Sequence, residues 1–421
     1  MFQKLGIKRT PRLVMRVAGT AGAVVLFLSL IWMAGRAGFA SLLTAYAAKA
    51  NLPASADAAV SISPADPDAH LIRGELLETN GDLPAAINEY ETARSLRPDD
   101  YVLWLSLARA LELNGESGHA IAAARKAIPL APFYAQPHWQ LGNILLRAGQ
   151  KEEGLKELSL AGTSNPTMMP AIIELAWRFL GGDAQAVEQA LSPQTPEAHS
   201  ALGRYFRQRG EADAAIAMYA AAGSAAREER RAFFTELISK KQFKDASGLW
   251  AVDHSALTIG AMLDPGFEQE SDPNEPGFGW RLGEKIEGLH LSLDATDPKE
   301  GRSSLRVEFN GNSHPSVPII SQLVLIEPHT RYQMRFAART ESIVSGGLPL
   351  IQVMDANSGG VIAQSEDFPQ ATNGWRDYFV EFQTGELISA IQIRLQRQVC
   401  SGPLCPIFGR LWLDNFSLQK S

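Results

Sequence analysis

Residues 67 to 168 divide into three consecutive blocks of 34 residues that align without a gap, beginning PDAHLIRG at Pro67, YVLWLSLA at Tyr101 and AQPHWQLG at Ala135. A small residue holds the same place in each block (Gly74, Ala108, Gly142), with a leucine three residues on (Leu77, Leu111, Leu145). Alanines recur at Ala93, Ala127 and Ala161, and prolines at Pro98, Pro132 and Pro166. The apolar spacing is helical, the small residue lets a first helix approach a second, and the proline stops the second. A unit of this size cannot bury its apolar face alone, so such blocks must stack on one another.

These positions resemble the tetratricopeptide repeat family. The resemblance implies antiparallel helix pairs stacked into a right-handed superhelix, with a concave groove that takes a protein partner. The frame extends backwards through Phe39, Ala40, Leu43, Ala59 and Pro64, a half-degenerate first repeat. Forwards it keeps Leu175, Ala176 and Phe179, loses about seven residues from the 34-residue period, and resumes with Leu202, Gly203, Phe206, Ala215, Tyr219 and Ala222. A last copy over Arg230 to Trp250 retains Leu237, Ala246 and Trp250 and is expected to cap the solenoid, which spans residues 36–255. His70, His138 and His199 share one repeat position. They sit on separate repeats, too far apart for a shared metal, and are expected to fill a packing position.

The N-terminus sets the topology. Residues 1–16 carry Lys4, Lys8, Arg9, Arg12 and Arg16 and no acid, and Val17 to Gly35 follows without a charge, a run of 19 residues. Nearly that many are needed to cross roughly 30 Å of hydrocarbon as a helix. The positive-inside rule makes the N-terminus cytoplasmic, residues 17–35 a single-pass span of a bacterial inner membrane, and the remainder periplasmic. The competing reading is a signal peptide cut after Gly38-Phe39-Ala40. Against it, the run is long for a signal sequence and the repeat frame begins before the cut.

A formal charge of −7 and a pI near 5.7 offer no basic stripe for a phosphate backbone, so nucleic acid is not an expected partner. Cys400 and Cys405 are the only cysteines. In an exported domain a disulfide across their short Gly-Pro loop is the natural reading. Two free thiols are the alternative, and a zinc site lacks a second pair of ligands nearby.

After residue 260 the period changes from helical to alternating. Strands read at Ser303–Phe309, Ile320–Ile326, Arg331–Arg339, Leu348–Asp355, Arg376–Thr384, Ala390–Gln398 and Arg410–Leu418. So many short strands separated by turn residues argue an all-β sandwich over residues 260–421. In the last strand Trp412, Asp414, Phe416 and Leu418 are expected to share a face, which leaves a carboxylate among apolar side chains.

The stretches LDPGFEQ, EGRSSLRVEF, LIEPHTRYQMRFAART, NGWRDYFVEFQT and LWLDNFSL come in the order of the strands of galactose-binding-like carbohydrate-binding modules, and residues 263–419 resemble that jelly-roll family. The resemblance makes LDPGFEQ the opening strand and implies a glycan-binding sheet face. Alternation offers Arg335, Gln352, Arg394 and Gln396 for such a face, with Trp280 or Trp375 at its rim. It also implies a structural calcium ion held by Glu268 and Asp414 with backbone carbonyls. The alternative is that Asp414 accepts only backbone N–H groups of the first strand.

The phosphate-loop, serine-hydrolase elbow and zinc-protease signatures do not occur. The expected function is therefore non-enzymatic. It is a membrane-anchored envelope scaffold whose repeats hold a protein and whose sandwich touches a glycan during exopolysaccharide or surface-polysaccharide assembly. No cofactor beyond calcium is expected. A periplasmic adaptor without sugar binding is the alternative, and a polysaccharide-modifying enzyme is the third reading.

Overall fold

The computed structural model describes residues 11–269, 277–282, 288–311, 315, 317–400 and 405–421, with side chains from residue 22 onward. The charges at Lys4, Lys8, Arg9, Arg12 and Arg16 lie outside the described side chains. The chain forms two compact units, residues 1–202 and 203–421.

The first unit contains α1 (Pro11–Ala50), α2 (Pro53–Ile62), α3 (Pro67–Thr79), α4 (Leu83–Leu96), α5 (Tyr101–Leu113), α6 (Ser117–Ala127), α7 (Ala135–Arg147), α8 (Lys151–Ser164), α9 (Met169–Phe179) and α10 (Ala184–Leu191). The division falls within α11 (Pro196–Arg209). The helices α3/α4, α5/α6 and α7/α8 are the three 34-residue blocks. Asp66 and Asp100 cap α3 and α5 by accepting the N–H groups of Asp68 and Val102, each at 3.0 Å. Gly81, Gly115 and Gly149 close the three intra-repeat turns at φ of +86°, +84° and +81°, a region that favours glycine.

The small residue on each first helix is matched to the residue 16 positions later on the second. Gly74 faces Tyr90 and Gly142 faces Leu158, whereas buried Ala108 is matched to buried Ala124. A Cβ at Gly74 would lie 2.6 Å from Tyr90 Cε1. Gly74→Ala is therefore expected to destabilise the first unit by about 1–3 kcal/mol. That cost should vanish in a Tyr90→Ala background, as measured by denaturation of both pairs.

α1 is one helix of 40 residues, about 60 Å long. Its apolar side chains from Val24 to Met33 are exposed all round. From Ala40 the same helix becomes the first helix of a repeat, burying Ala40, Thr44 and Ala47, the last against Ala56 of α2 and Leu76 of α3.

The second unit holds α12 (Ala212–Ala221), α13 (Arg227–Ser239) and α14 (Phe243–Trp250) and a sandwich of ten strands among the described residues. These are β1 (Arg281–Leu282), β2 (Leu289–Asp294), β3 (Ser304–Gly311), β4 (Ile320–Leu325), β5 (Arg331–Ser345), β6 (Pro349–Asp355), β7 (Val361–Gln364), β8 (Ala371–Gln383), β9 (Ala390–Arg397) and β10 (Ile407–Lys420). One antiparallel sheet has the order β1-β4-β9-β6-β7, the other β2-β3-β10-β5-β8. Without β1 and β2, the remaining eight strands follow the double Greek-key order of a jelly roll. Phe267, Val307, Phe336, Ile393 and Leu411 are among the side chains of the single core between the sheets.

Three sequence expectations change here. LDPGFEQ is not a strand. Asp264 and Phe267 take φ of +43° and +54°, and the Asp264 carboxylate turns back to accept the Glu268 N–H at 2.7 Å. Second, β10 does not keep one phase, because a bulge between Asp414 and Ser417, with Asn415 at φ +49°, switches its faces. Leu411, Leu413, Phe416 and Leu418 therefore join the core, and Trp412 and Asp414 lie on the outer face. Third, the boundary expected near residues 255–260 separates helices from strands but not the compact units. Trp250 of α14 packs 5.9 Å from Phe234 and 6.1 Å from Phe278, ring centre to ring centre, and a Cβ at Gly277 would overlap the Trp250 ring.

Candidate functional site: the first-helix face and the sandwich faces

The first helices of successive repeats lie side by side. Arg109 of α5 reaches back to Glu78 of α3 with Nε–Oε1 of 2.8 Å, and Arg147 of α7 reaches back to Glu112 of α5 with Nη2–Oε2 of 2.7 Å. Gln140 of α7 donates to the Leu105 carbonyl at 2.7 Å. Both acids lie low and both arginines stand proud. The Glu78 and Glu112 side chains are 13% and 14% exposed, against 49% and 61% for Arg109 and Arg147. Tyr90 donates to Glu78 at 2.8 Å, and burial followed by Glu78 raises its phenol pKa. Burial also raises Glu75, although Arg109 opposes it. What the face offers a ligand is thus guanidinium donors over neutralised carboxylates, beside the exposed side chain of Leu113.

The histidines do not converge. His70 Nδ1 lies 2.6 Å from Glu89 and His138 Nδ1 2.7 Å from Glu157, each joining the two helices of its own repeat, and His199 Nδ1 is 2.9 Å from the Thr195 carbonyl.

The glycan face expected from alternation is not one face. Gln352 on β6 and Arg394 and Gln396 on β9 belong to the first sheet, and Arg335 on β5 belongs to the second. Alternation gives the side of a strand but not its sheet, which is why the four were grouped. Gln352 Oε1 accepts from Arg394 at 2.9 and 3.1 Å, and Gln396 is buried with its amide donating to the Pro315 carbonyl. Trp280 is not at a rim. It is 4% exposed, stacks 4.9 Å from Phe267 and donates to the Asp264 carbonyl at 3.0 Å.

Trp375 and Arg335 both lie on the second sheet, on β8 and β5, and residues that alternation did not single out surround them. The Arg339 guanidinium sits 4.1 Å over Trp412 and 5.7 Å over Trp375 and pairs with Asp297. Trp412 Nε1 donates to Asp294 at 2.8 Å. The Thr296 hydroxyl and then the Trp412 indole hold the Asp294 carboxyl down to about 2. Arg335 pairs with Asp377 at 3.2 Å beside the exposed Phe379. Only the strand order β10-β5-β8 brings these residues together.

Glu268 and Asp414 hold one loop between them. Asp414 is fully buried. Its Oδ2 accepts the N–H groups of Lys299 and Glu300 at 2.8 and 3.1 Å, and its Oδ1 accepts that of Asn415 at 2.7 Å. Glu268 accepts the Arg302 N–H at 2.8 Å. The N–H donors are thus Lys299, Glu300 and Arg302 of the loop before β3 and Asn415 of β10 itself, and none is from the first strand. Burial, and less strongly Glu268, raise the Asp414 pKa, and no described ion pair includes Asp414. The space that a side chain at Gly266 would fill lies 3.6 Å from Glu268 Oε1 and 3.7 Å from Asp414 Oδ1. Glu268 also pairs with Arg302, Nε–Oε2 3.5 Å, so of the two carboxylates beside this space only Asp414 is without a described cationic partner; a hard cation there would take six to eight oxygens. The described residues offer no cluster of three acidic, histidine or cysteine ligands, so carbonyls or water would have to complete the shell of any ion held there. A disulfide joins Cys400 and Cys405 across 5.5 Å between Cα atoms; the loop inside it, 401–404, lies outside the described residues.

The tetratricopeptide repeat family model matches residues 42–100 and 73–135, so this part of the first unit consists of tetratricopeptide repeats. The peroxisomal targeting signal receptor of Candida albicans is 31% identical over 99 residues, 24% of this chain and 17% of that protein. DnaJ homolog subfamily C member 3 of Homo sapiens is 28% identical over 103 residues, 24% of this chain and 20% of that protein. The chain thus spans about a sixth to a fifth of these relatives' lengths. Among solved structures, the crystal structure of MamA is 17% identical over 43% of this chain and 88% of its own, with a TM-score of 0.28. YrrB, a TPR protein with an unusual peptide-binding site, is 16% identical over 39% of this chain and 88% of its own, with a TM-score of 0.31.

Proposed function

We propose that this chain is a membrane-anchored, non-enzymatic scaffold whose first-helix face holds a protein partner in the periplasm of a bacterium. The observation that carries the reading is the pair Arg109 and Arg147, exposed above half-buried Glu78 and Glu112 and flanked by exposed Leu113. That surface suits an extended segment carrying carboxylate or carbonyl acceptors and an apolar side chain. A relative named as a targeting-signal receptor supports the choice of a peptide-like ligand. The anchor is α1, whose segment Gly22–Ala50 is long and apolar enough to cross a membrane, and we place the span at the charge-free residues 17–35 within α1.

Crosslinking of the full chain in its own membranes, followed by purification, tests this. The Arg109→Ala, Arg147→Ala double variant is expected to lose the adducts that the native chain forms. Its melting temperature is expected to fall only modestly, because the arginine ends of both pairs are open to water and such pairs contribute about 0–1 kcal/mol each, and a variant that stays folded at the assay temperature is required for the comparison. Unchanged adducts would contradict the reading.

A second reading, that the sandwich also binds a glycan of surface polysaccharide, is favoured by the second-sheet cluster of Trp375, Arg335, Arg339 and Phe379. Affinity gels containing bacterial polysaccharides should retard the native chain and not a Trp375→Ala, Arg335→Ala variant. Equal mobility of the two in every gel would remove the sugar half. Calcium between Glu268 and Asp414 is part of the same proposal.

A further inference from the structure

We propose that α1 carries the seam of a parallel homodimer, running unbroken from the membrane span into the first repeat. The inference rests on the membrane-anchor reading above. Leu28, Trp32, Gly35, Phe39, Leu42 and Tyr46 follow one another at alternating steps of four and three residues. This is the spacing that keeps one edge of a helix against a partner helix. Within the span the stripe says little, since every face there is apolar.

Beyond Arg36 the stripe is informative. Phe39, Leu42 and Tyr46 are 56%, 69% and 56% exposed, and the opposite side of α1 is occupied by Ala40, Thr44 and Ala47 in the packing of its own repeat. The outer face of a terminal repeat ordinarily turns polar to meet water. Here it stays apolar and keeps the phase set inside the span, and no charge occurs between Arg36 and Lys49.

Lipid does not account for the outer half of this stripe. Arg36 marks the polar edge of the span, its guanidinium donating to the Ile62 carbonyl at 2.5 Å and lying 5.5 Å over Trp32. Leu42 and Tyr46 stand about 9 and 15 Å further along the axis, whereas the headgroup layer on each side is roughly 5–8 Å deep. A second copy satisfies the geometry. Its α1 crosses the same bilayer in the same direction, so the two stripes meet in parallel and in register, each residue against its own counterpart.

Single cysteines introduced by Leu42→Cys, Tyr46→Cys and Ser41→Cys into the full chain, then oxidised in native membranes, test the seam. The Cys400–Cys405 disulfide stays closed as an internal background. Leu42→Cys and Tyr46→Cys are expected to give a reducible band of doubled mass, and Ser41→Cys, exposed but off the stripe, is expected to give none. Resistance to alkaline carbonate extraction is scored on the same membranes. An integrated chain that gives no doubled band at either seam position, an adduct of a different mass, or equal bands at all three positions overturns the seam and leaves the anchor standing. A chain extracted by carbonate overturns both.

Discussion

Replacing Arg230 by methionine is expected to destabilise the unit of residues 203–421 by roughly 2–6 kcal/mol, because it leaves two carbonyl acceptors without their donor at about 1–3 kcal/mol each, and it also takes the cation from the exposed Asp253. Arg230 is 4% exposed. It binds Asp253 through Nε and Nη2 at 2.8 and 2.6 Å, and its Nη1 donates to the carbonyls of Tyr219 and Gly223 at 3.1 and 2.6 Å. One side chain therefore fastens α13 to the end of α12 and to the segment after α14. Methionine fills the volume but leaves two carbonyls and a carboxylate without their donor. The pH dependence has a definite sign. Arg230 is the main cause that lowers the Asp253 pKa, so the associated stability is complete above the ordinary carboxylate value and is lost as pH falls through the depressed one. Acid titration of thermal stability should therefore show a loss in the native chain that the Arg230→Met variant lacks. Identical acid profiles and a shift of only a degree or two would mean that the pair contributes little.

The second large effect is expected at Asp414. Asp414→Ala removes the acceptor of three backbone N–H groups and should cost about 3 kcal/mol, since each buried donor left unpaired costs about 1–3 kcal/mol. Asp414→Asn separates the charge from the shape. Without metal, burial raises the folded-state pKa, so Asp414 withdraws stability as pH rises from the ordinary carboxylate value through the raised one. The asparagine variant should lack that decline. A bound calcium ion reverses the sign, because it favours the ionised carboxylate. The proposal of calcium thus predicts that chelation lowers the melting temperature of the native chain and leaves that of Asp414→Asn nearly unchanged. A melting temperature indifferent to chelator would remove the metal and leave Asp414 as a clasp on residues 299–300.

The repeats were legible in the sequence because their determinants are local and periodic. Gly74, Leu77, Ala93 and Pro98 set one helix pair, and the same places recur 34 residues on. The continuity of α1 with the first repeat was legible for the same reason, from Ala40 and Leu43 in the repeat frame. The sandwich was legible strand by strand where alternation is strong, as in β9 with Ile391, Ile393 and Leu395 all fully buried. β2 and β7 escaped notice because neither has a fully buried residue to show the period, and β1 is only two residues long. The phase switch at Asn415 escaped because a bulge has no alternating signature of its own.

The candidate sites were less legible, since they depend on which strands are neighbours. Arg335 and Arg394 have the same strand chemistry, and only the topology separates them onto different sheets. Trp280 is expected at the rim of a sheet face, yet the turn at Asp264 supplies the acceptor that lets its indole be buried. Resemblance implied a partner-binding groove on the repeats without saying which residues face a partner. The paired guanidinium groups of the first-helix face were not legible, because they depend on contacts such as Arg109 to Glu78, 31 residues apart.

The central claim, that the first-helix face of a membrane-anchored chain holds a protein, is tested most directly by a photo-crosslinking residue at Leu113 in cells. Leu160, equally a surface leucine but on the second helix of its repeat, serves as the control. The account predicts a discrete adduct with one protein from position 113, found in the membrane fraction, and none from position 160. Adducts that are absent from position 113, or the same from both positions, would contradict it.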